Sequence, residues 1–198
     1  MKKWLVGLVC VGMMATAALG QEPAVWFNEI NYDPVGTDSA GTEWLEVAGP
    51  AGTDLSSYVV VRYNGANGAS YGSTTLSGTI DDEGCGYGAV ELVYNTADSL
   101  QNGAPDGIAL ANVSGGVTTL VQFLCYEGTF MATNGPAAGS TGANIGTQNG
   151  STALTLQLGG TATNYSGFTW GTNTASMGTL NVGQSIEGCS AGPQTNAS

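Results

Sequence analysis

The sequence predicts an all-β protein, a sandwich or a barrel, and three observations carry that prediction. After the first 20 positions, apolar residues recur at period two or in short runs of Val, Ile, Leu and Tyr. Clusters of Gly, Asn, Asp and Ser interrupt those runs about every ten residues, the spacing of short strands and turns. No stretch beyond position 20 carries the 3.6-residue period of an amphipathic helix. The chain has 198 residues, 42% of them hydrophobic, enough for one β domain with a core of its own. Its 4 Trp and 8 Tyr set it apart from disordered chains, which are poor in aromatics.

Taken in order, the chain opens on a targeting segment. Lys2 and Lys3 form a positive start, residues 4–14 an uncharged apolar run, and Ala18 and Gly20 the small positions before a cut at Gln21. The apolar stretch, 4–19, is shorter than the roughly 20 residues that cross a bilayer, so cleavage and export are expected and no membrane span is. Strands are expected at 25–31, 43–48, 57–64, 87–94, 107–113, 118–126, 153–158 and 167–171, roughly eight in all. In the seventh, Leu154, Leu156 and Leu158 alternate with smaller or polar residues, as on a half-buried strand. The third, Tyr58-Val-Val-Val-Arg-Tyr63, is continuously apolar up to Arg62 and fits a central strand. Asn64-Gly65, Asn67-Gly68, Asn102-Gly103 and Asp106-Gly107 supply turn chemistry. Residues 131–151, rich in Gly, Ala, Ser, Thr and Asn, form a long loop of the kind that is either functional or mobile. The expected organisation is a signal peptide over 1–20, one domain over 21–186 and a flexible tail over 187–198.

Charge narrows the partners. Cleavage before Gln21 leaves one basic residue, Arg62, against 15 acidic ones, a formal −14. Such a surface repels phosphate backbones and anionic membranes, so direct nucleic-acid binding is not expected. It suits the capture of cations. Three cysteines remain after cleavage, and Cys85–Cys125 is the expected disulfide because both flank strand-like segments while Cys189 lies in a polar tail.

The chain contains no His, and its two Lys lie in the cleaved segment. A Ser-His-Asp or Cys-His site, a His-ligated zinc and a Lys base are all excluded. Carboxylate chemistry survives, and Glu29, Glu43 and Glu46, on adjacent predicted strands, are its candidates. Glu43 and Glu46 are three apart and should face opposite sides of a regular strand. Solvated or structural carboxylates are the plainer reading. Asp33, Asp38 and Glu43 lie in one Gly-bearing loop and read either as a calcium loop or as ordinary turn chemistry, which suffices for the composition. No cofactor is expected, unless that loop holds calcium. Trp26, Trp44 and Trp170 read as core. Tyr32, Tyr63, Tyr71 and Tyr87 read as an exposed patch for a sugar or a protein.

Several motifs match a known family in order: Val25-Trp-Phe-Asn-Glu-Ile-Asn-Tyr-Asp33, Gly41-Thr-Glu-Trp-Leu-Glu-Val-Ala-Gly49 and Thr53-Asp-Leu-Ser-Ser-Tyr58. They resemble the opening of a lamin-tail domain, with Ser57-Tyr58 where the family has Gly-Trp. Leu100-Gln-Asn-Gly-Ala-Pro-Asp-Gly-Ile-Ala-Leu110, Val121-Gln-Phe-Leu-Cys-Tyr-Glu-Gly-Thr-Phe130 and Gly135-Pro-Ala-Ala-Gly139 resemble its bacterial secreted branch, which often accompanies extracellular nuclease domains. The resemblance spans about 25–184. It implies an immunoglobulin-like β-sandwich with long Gly/Asn/Ser-rich loops, and it brings no catalytic residues. The expected function is that of a secreted, non-catalytic binding or structural module. Its partner would be an extracellular protein, glycan or surface ligand in the extracellular or cell-envelope space. The alternative is a small carboxylate- or metal-dependent extracellular hydrolase or nuclease-associated protein.

Overall fold

Phe27, Ile30, Leu45 and Val47 on one side, and Val60, Ile108, Leu110 and Leu124 on the other, are the apolar side chains over which two β-sheets close. The structure, a computed structural model, describes residues 22–188 except 38, 97 and 98. The signal-peptide reading, Asp38, Cys189 and most of the expected tail lie outside the described residues.

Eleven strands are present among the described residues: β1 (Trp26–Asn31), β2 (Trp44–Pro50), β3 (Tyr58–Asn64), β4 (Ala69–Thr75), β5 (Tyr87–Val93), β6 (Asp106–Ser114), β7 (Val117–Tyr126), β8 (Ala143–Asn144), β9 (Leu154–Ala162), β10 (Thr169–Thr174) and β11 (Gln184–Ile186). One sheet runs β10-β9-β1-β2-β5, with β11 added parallel to β9. The other runs β4-β3-β6-β7-β8. The all-β, two-sheet architecture is therefore as expected. Each of the eight predicted strands has a counterpart, and β4, β8 and β11 are additional. Asp106-Gly107, read as a turn, instead opens β6.

The long segment 131–151 is ordered by pairing and burial. Met131 bridges Thr141, β8 pairs with β7 in parallel, and Ile145 donates its amide to Cys125 at 2.8 Å. Ala137 and Ile145 are buried. The Gln148 side-chain oxygen accepts the Tyr32 amide at 2.9 Å, which fastens this segment to the end of β1.

Arg62 lies in β3 between two aromatic rings, 5.4 Å from the centre of Tyr71 and 4.8 Å from that of Tyr94, and donates to the Ser99 carbonyl at 2.6 Å. Its fork lies flat over β4, where a Cβ on Gly72 would come within 2.3 Å of Nη2. The one basic residue among the described residues is thus committed to the fold, and the cation–π contacts replace hydration lost on burial.

The expected Cys85–Cys125 disulfide is not formed. Cys125 is a buried free thiol, while Cys85 is disulfide-bonded. Cys125 points from β7 into the packing beneath Gly142, whose added Cβ would lie 2.2 Å from the sulfur, a site with no room for a cross-link.

Candidate functional site

Strand alternation alone would send Phe27 and Glu29 to the same face of β1. A β-bulge prevents this. Phe27 pairs with Val47 and Glu29 with Glu46, so Asn28 is an extra residue on β1. The bulge resets the alternation, leaves Phe27 and Ile30 in the core, and turns Asn28 and Glu29 together to the opposite face. There Glu29 stands directly across from Glu46, and Glu46 from Glu91 on β5. Carboxylates in directly opposed positions repel, so this row needs hydrogen-bond donors.

Those donors come from the bulge residue Asn28, from β9 and from residues 176–184. Glu29 Oε1 accepts from the Thr155 hydroxyl and from Gln157 Nε2 at 3.2 Å, and Oε2 accepts from the Ser176 hydroxyl at 2.8 Å. Glu46 Oε1 accepts from Asn28 Nδ2, and Oε2 from the Gly178 amide, both at 2.8 Å. Gly178 has φ +78°, and an added Cβ would sit 2.9 Å from Glu91 Oε2, so the turn fits only with glycine there. Asn181 Nδ2 donates to the carbonyls of Asn28 and Leu158, both at 2.9 Å, and Gln184 Nε2 to Asn28 Oδ1 at 2.7 Å.

Glu29 and Glu46 are fully buried. Burial pushes the Glu46 carboxyl up to about 8, with the charges of Glu29 and Glu83 adding to the rise and the bonds from Asn28 and Gly178 opposing it. Burial also raises Glu29, against the pull of Thr155 and Ser176. A raised carboxyl beside a second one is the electrostatic signature of an acid–base pair. Here, however, all four oxygens are held by protein donors and no face is open to a substrate.

The third candidate, Glu43, sits at the mouth of β2, fully buried, and accepts the Leu100 amide at 2.9 Å. It is not brought to the Glu29–Glu46 pair. In the proposed calcium loop, Asp33 accepts the Gly150 amide at 2.9 Å and Asn102 Nδ2 at 3.2 Å. Asp33 and Glu43 are thus tied to different partners. Among the described residues, no three His, Cys, Asp or Glu side chains are grouped to hold a metal ion.

The aromatic expectations divide. Trp26 and Trp44 are buried as expected, and Trp170 is half-buried with its indole N–H on Tyr165. The exposed tyrosine patch is not formed, because Tyr32 and Tyr63 are fully buried. Tyr32 stacks on Tyr126 with ring centres 4.0 Å apart and donates to Glu127, while Tyr63 donates to the Asn134 carbonyl at 3.1 Å. Tyr71 and Tyr87 are partly exposed.

An open concavity lies elsewhere, at the end of the second sheet where β3, β6 and β7 meet. It holds ≈ 360 Å³ and is lined by Asn64, Ala66 and residues 100–106. The segment 99–102 is tied down from behind. Arg62 holds the Ser99 carbonyl, Glu43 the Leu100 amide, and the Tyr126 hydroxyl the Gln101 carbonyl at 2.6 Å. The sequence marks its lining only as turn residues, at Asn64-Gly65, Asn102-Gly103 and Asp106-Gly107, and as part of the motif running from Leu100 to Leu110, and not as a pocket. No protein-family model, no curated protein and no solved structure matches the chain.

Proposed function

We propose that the protein is a secreted, non-catalytic β-sandwich binding module of the lamin-tail type, with an immunoglobulin-like arrangement of its sheets. The single observation that carries the non-catalytic reading is the saturation of the Glu29–Glu46 pair. A general acid or base must reach its substrate's proton within about 3 Å, and these carboxyls are held by Asn28, Thr155, Gln157, Ser176 and Gly178. They join the C-terminal segment to the first sheet. The lamin-tail reading draws support from its two opening motifs, Asn28-Glu29-Ile30 and Glu43-Trp-Leu-Glu46, lying side by side on β1 and β2. Export draws support from the Lys2-Lys3 start, the apolar run after it and the disulfide at Cys85, since such bonds persist in oxidising compartments. The partner is an extracellular protein, glycan or surface ligand.

The test assays the purified protein against DNA, an ester, casein and soluble glycans between pH 5 and 8. Alongside, immobilised protein is exposed to the producer's culture supernatant and envelope. The expected result is no hydrolysis above background together with saturable capture. Hydrolysis that disappears in Glu29→Gln or Glu46→Gln would overturn the non-catalytic reading.

A further inference from the structure

Open β-sheets end in strands whose outward N–H and C=O groups are unpaired, and folded proteins blunt such edges by shortness, bulges, charge or cover. Among the described residues, five strands lie at an edge, and four of them are blunted. β8 has two residues and β11 three. β4 bulges at Tyr71, where Arg62 pairs with Gly72 and Tyr63 with Ser70, and its Ser70 amide is taken by Asn134 at 2.7 Å. β5 carries Glu91, and Glu83 folds back on its edge, donating its amide to the Tyr87 carbonyl at 2.9 Å and accepting the Ala89 amide at 2.8 Å. The fifth, β10, has none of these devices. Thr169–Thr174 pairs with β9 without a register shift and contains neither a charge nor a proline. Among the described residues, no strand or loop other than β9 hydrogen-bonds to the backbone of residues 169–172. Thr169, Gly171 and Thr172 are exposed. The outward edge is a template for one more strand.

The surface beside that edge says what the added strand carries. A cleft of ≈ 130 Å³ lies along β9 and β10, lined among others by Gln157, Gly159, Thr169, Gly171, Asn173 and Val182. At this size it suits one side chain rather than a whole small molecule. Val182 is 54% exposed, and a Cβ on Gly171 would meet nothing within 4 Å. An incoming strand sets a residue directly across from Gly171, and an aromatic ring there covers the missing side chain and reaches Val182. Charge sets the flanks. The chain beginning at Gln21 carries −14, and Arg62, its one basic residue, is held between Tyr71 and Tyr94. Exposed Glu22 accepts the Ser166 amide at 3.2 Å, just before β10 begins. A polyanion of this kind repels a second copy of itself and attracts a basic segment.

We propose that the free edge of β10 binds an extended, basic segment of a partner protein as an added strand, with an aromatic side chain of that segment set over Gly171 and against Val182. The proposal rests on the binding-module reading and gives that module its mode of recognition and the chemistry of its partner.

The test records amide shifts of the purified, isotope-labelled protein during titration with acetyl-Lys-Thr-Thr-Phe-Thr-Thr-Lys-amide at neutral pH and low salt. Saturable shifts are expected along β10, at Gln157 to Gly159 and at Val182. Three altered peptides divide the claim. N-methylation at the phenylalanine and at the threonine after it removes one backbone donor from each edge of the peptide and should abolish binding. Alanine in place of the phenylalanine should weaken binding about tenfold. Glutamate in place of both lysines should weaken it about tenfold or more, a gap that narrows at about 0.5 M salt. Gly171→Val, at a position where an added Cβ is free of neighbours, should keep the fold and bring the phenylalanine and alanine peptides to equal affinity. Binding that survives N-methylation, equal binding of the lysine and glutamate peptides, or no saturable shift with the lysine peptide would overturn the assignment. So would movement of the same amides on raising the protein concentration alone, which makes a second copy the occupant. Such a failure leaves the module reading standing if the immobilised protein still captures a partner, whereas hydrolysis lost in Glu46→Gln removes the module reading whatever the peptides do.

Discussion

A carboxyl buried between Asn28 and Gly178, with Glu29 across the strand pair and Glu91 and Glu83 beyond, is far harder to ionise in the folded protein than in the unfolded chain. The sign of the consequence follows from the two pKa values, about 8 folded against an ordinary 4.5. Below about 4.5 both states hold the proton, and the contribution is fully present. Between about 4.5 and 8 only the folded state holds it, so stability falls as pH rises, by about 1.36 kcal/mol per unit. Above about 8 the loss is complete. Glu29, also raised, acts in the same direction. Thermal unfolding should therefore show a lower Tm at pH 8.5 than at pH 5, and Glu46→Gln should flatten that slope. A Tm that rises across this window would mean that Glu46 is ionised in the fold. The sequence marked Glu29 and Glu46 by motif and by adjacency of their strands. It could not show that they face one another, because that depends on where the bulge falls. The buried tyrosines Tyr32 and Tyr63 were misread for a related reason: each hydroxyl finds its partner in the distant segment 127–137.

The bulge in β1 and the segment 176–184 form one device, for the bulge presents Asn28 and Glu29 and the segment neutralises them. Asn181 closes it with two hydrogen bonds to buried carbonyls. Deleting Asn28 would close the ladder with Phe27 still opposite Val47 and Glu29 still opposite Glu46, each on its present face, and would remove the donor to Glu46 Oε1 and the acceptor for Gln184. The deletion variant should therefore keep its near-ultraviolet circular dichroism and unfold cooperatively at pH 7, less stable by those lost hydrogen bonds. Asn28→Ala keeps the residue count and therefore the bulge, and should unfold cooperatively with about 1–3 kcal/mol less stability, the cost of buried groups left unpaired. A deletion variant far less stable than Asn28→Ala would show that the bulged backbone itself, beyond the Asn28 side chain, holds the two sides of the row together. Elements with strong alternation or continuous apolar runs were legible in advance, as β3 and β9 show. β4 was not, because Ala69–Thr75 carries Tyr71 as its one large side chain and forms an edge fixed by pairing with β3. Strands as short as β8 and β11 exist only through parallel partners distant in sequence, which no local pattern records.

For the whole molecule the governing quantity is the charge of −14 expected for the chain beginning at Gln21, carried on a surface whose one cation is drawn inward by Tyr71 and Tyr94. Self-repulsion of that size destabilises the compact state, and added salt should relieve it. Calcium could do more only by binding a site. A weak extracellular-type site, with Kd of about 0.1–1 mM, would at 1 mM calcium add roughly 0.4–1.4 kcal/mol, worth about 1–5 °C in Tm for a domain of this size. The loop that was to supply such a site has Asp33 committed to Gly150 and Asn102, and Glu43 committed to Leu100. A calcium ion would have to displace bonds already made. Melting curves in calcium chloride and in sodium chloride at equal ionic strength should therefore rise together within a degree or so. A further rise specific to calcium, abolished by Asp38→Asn, would restore the metal loop and show that Asp33 and Glu43 exchange their present partners for the ion.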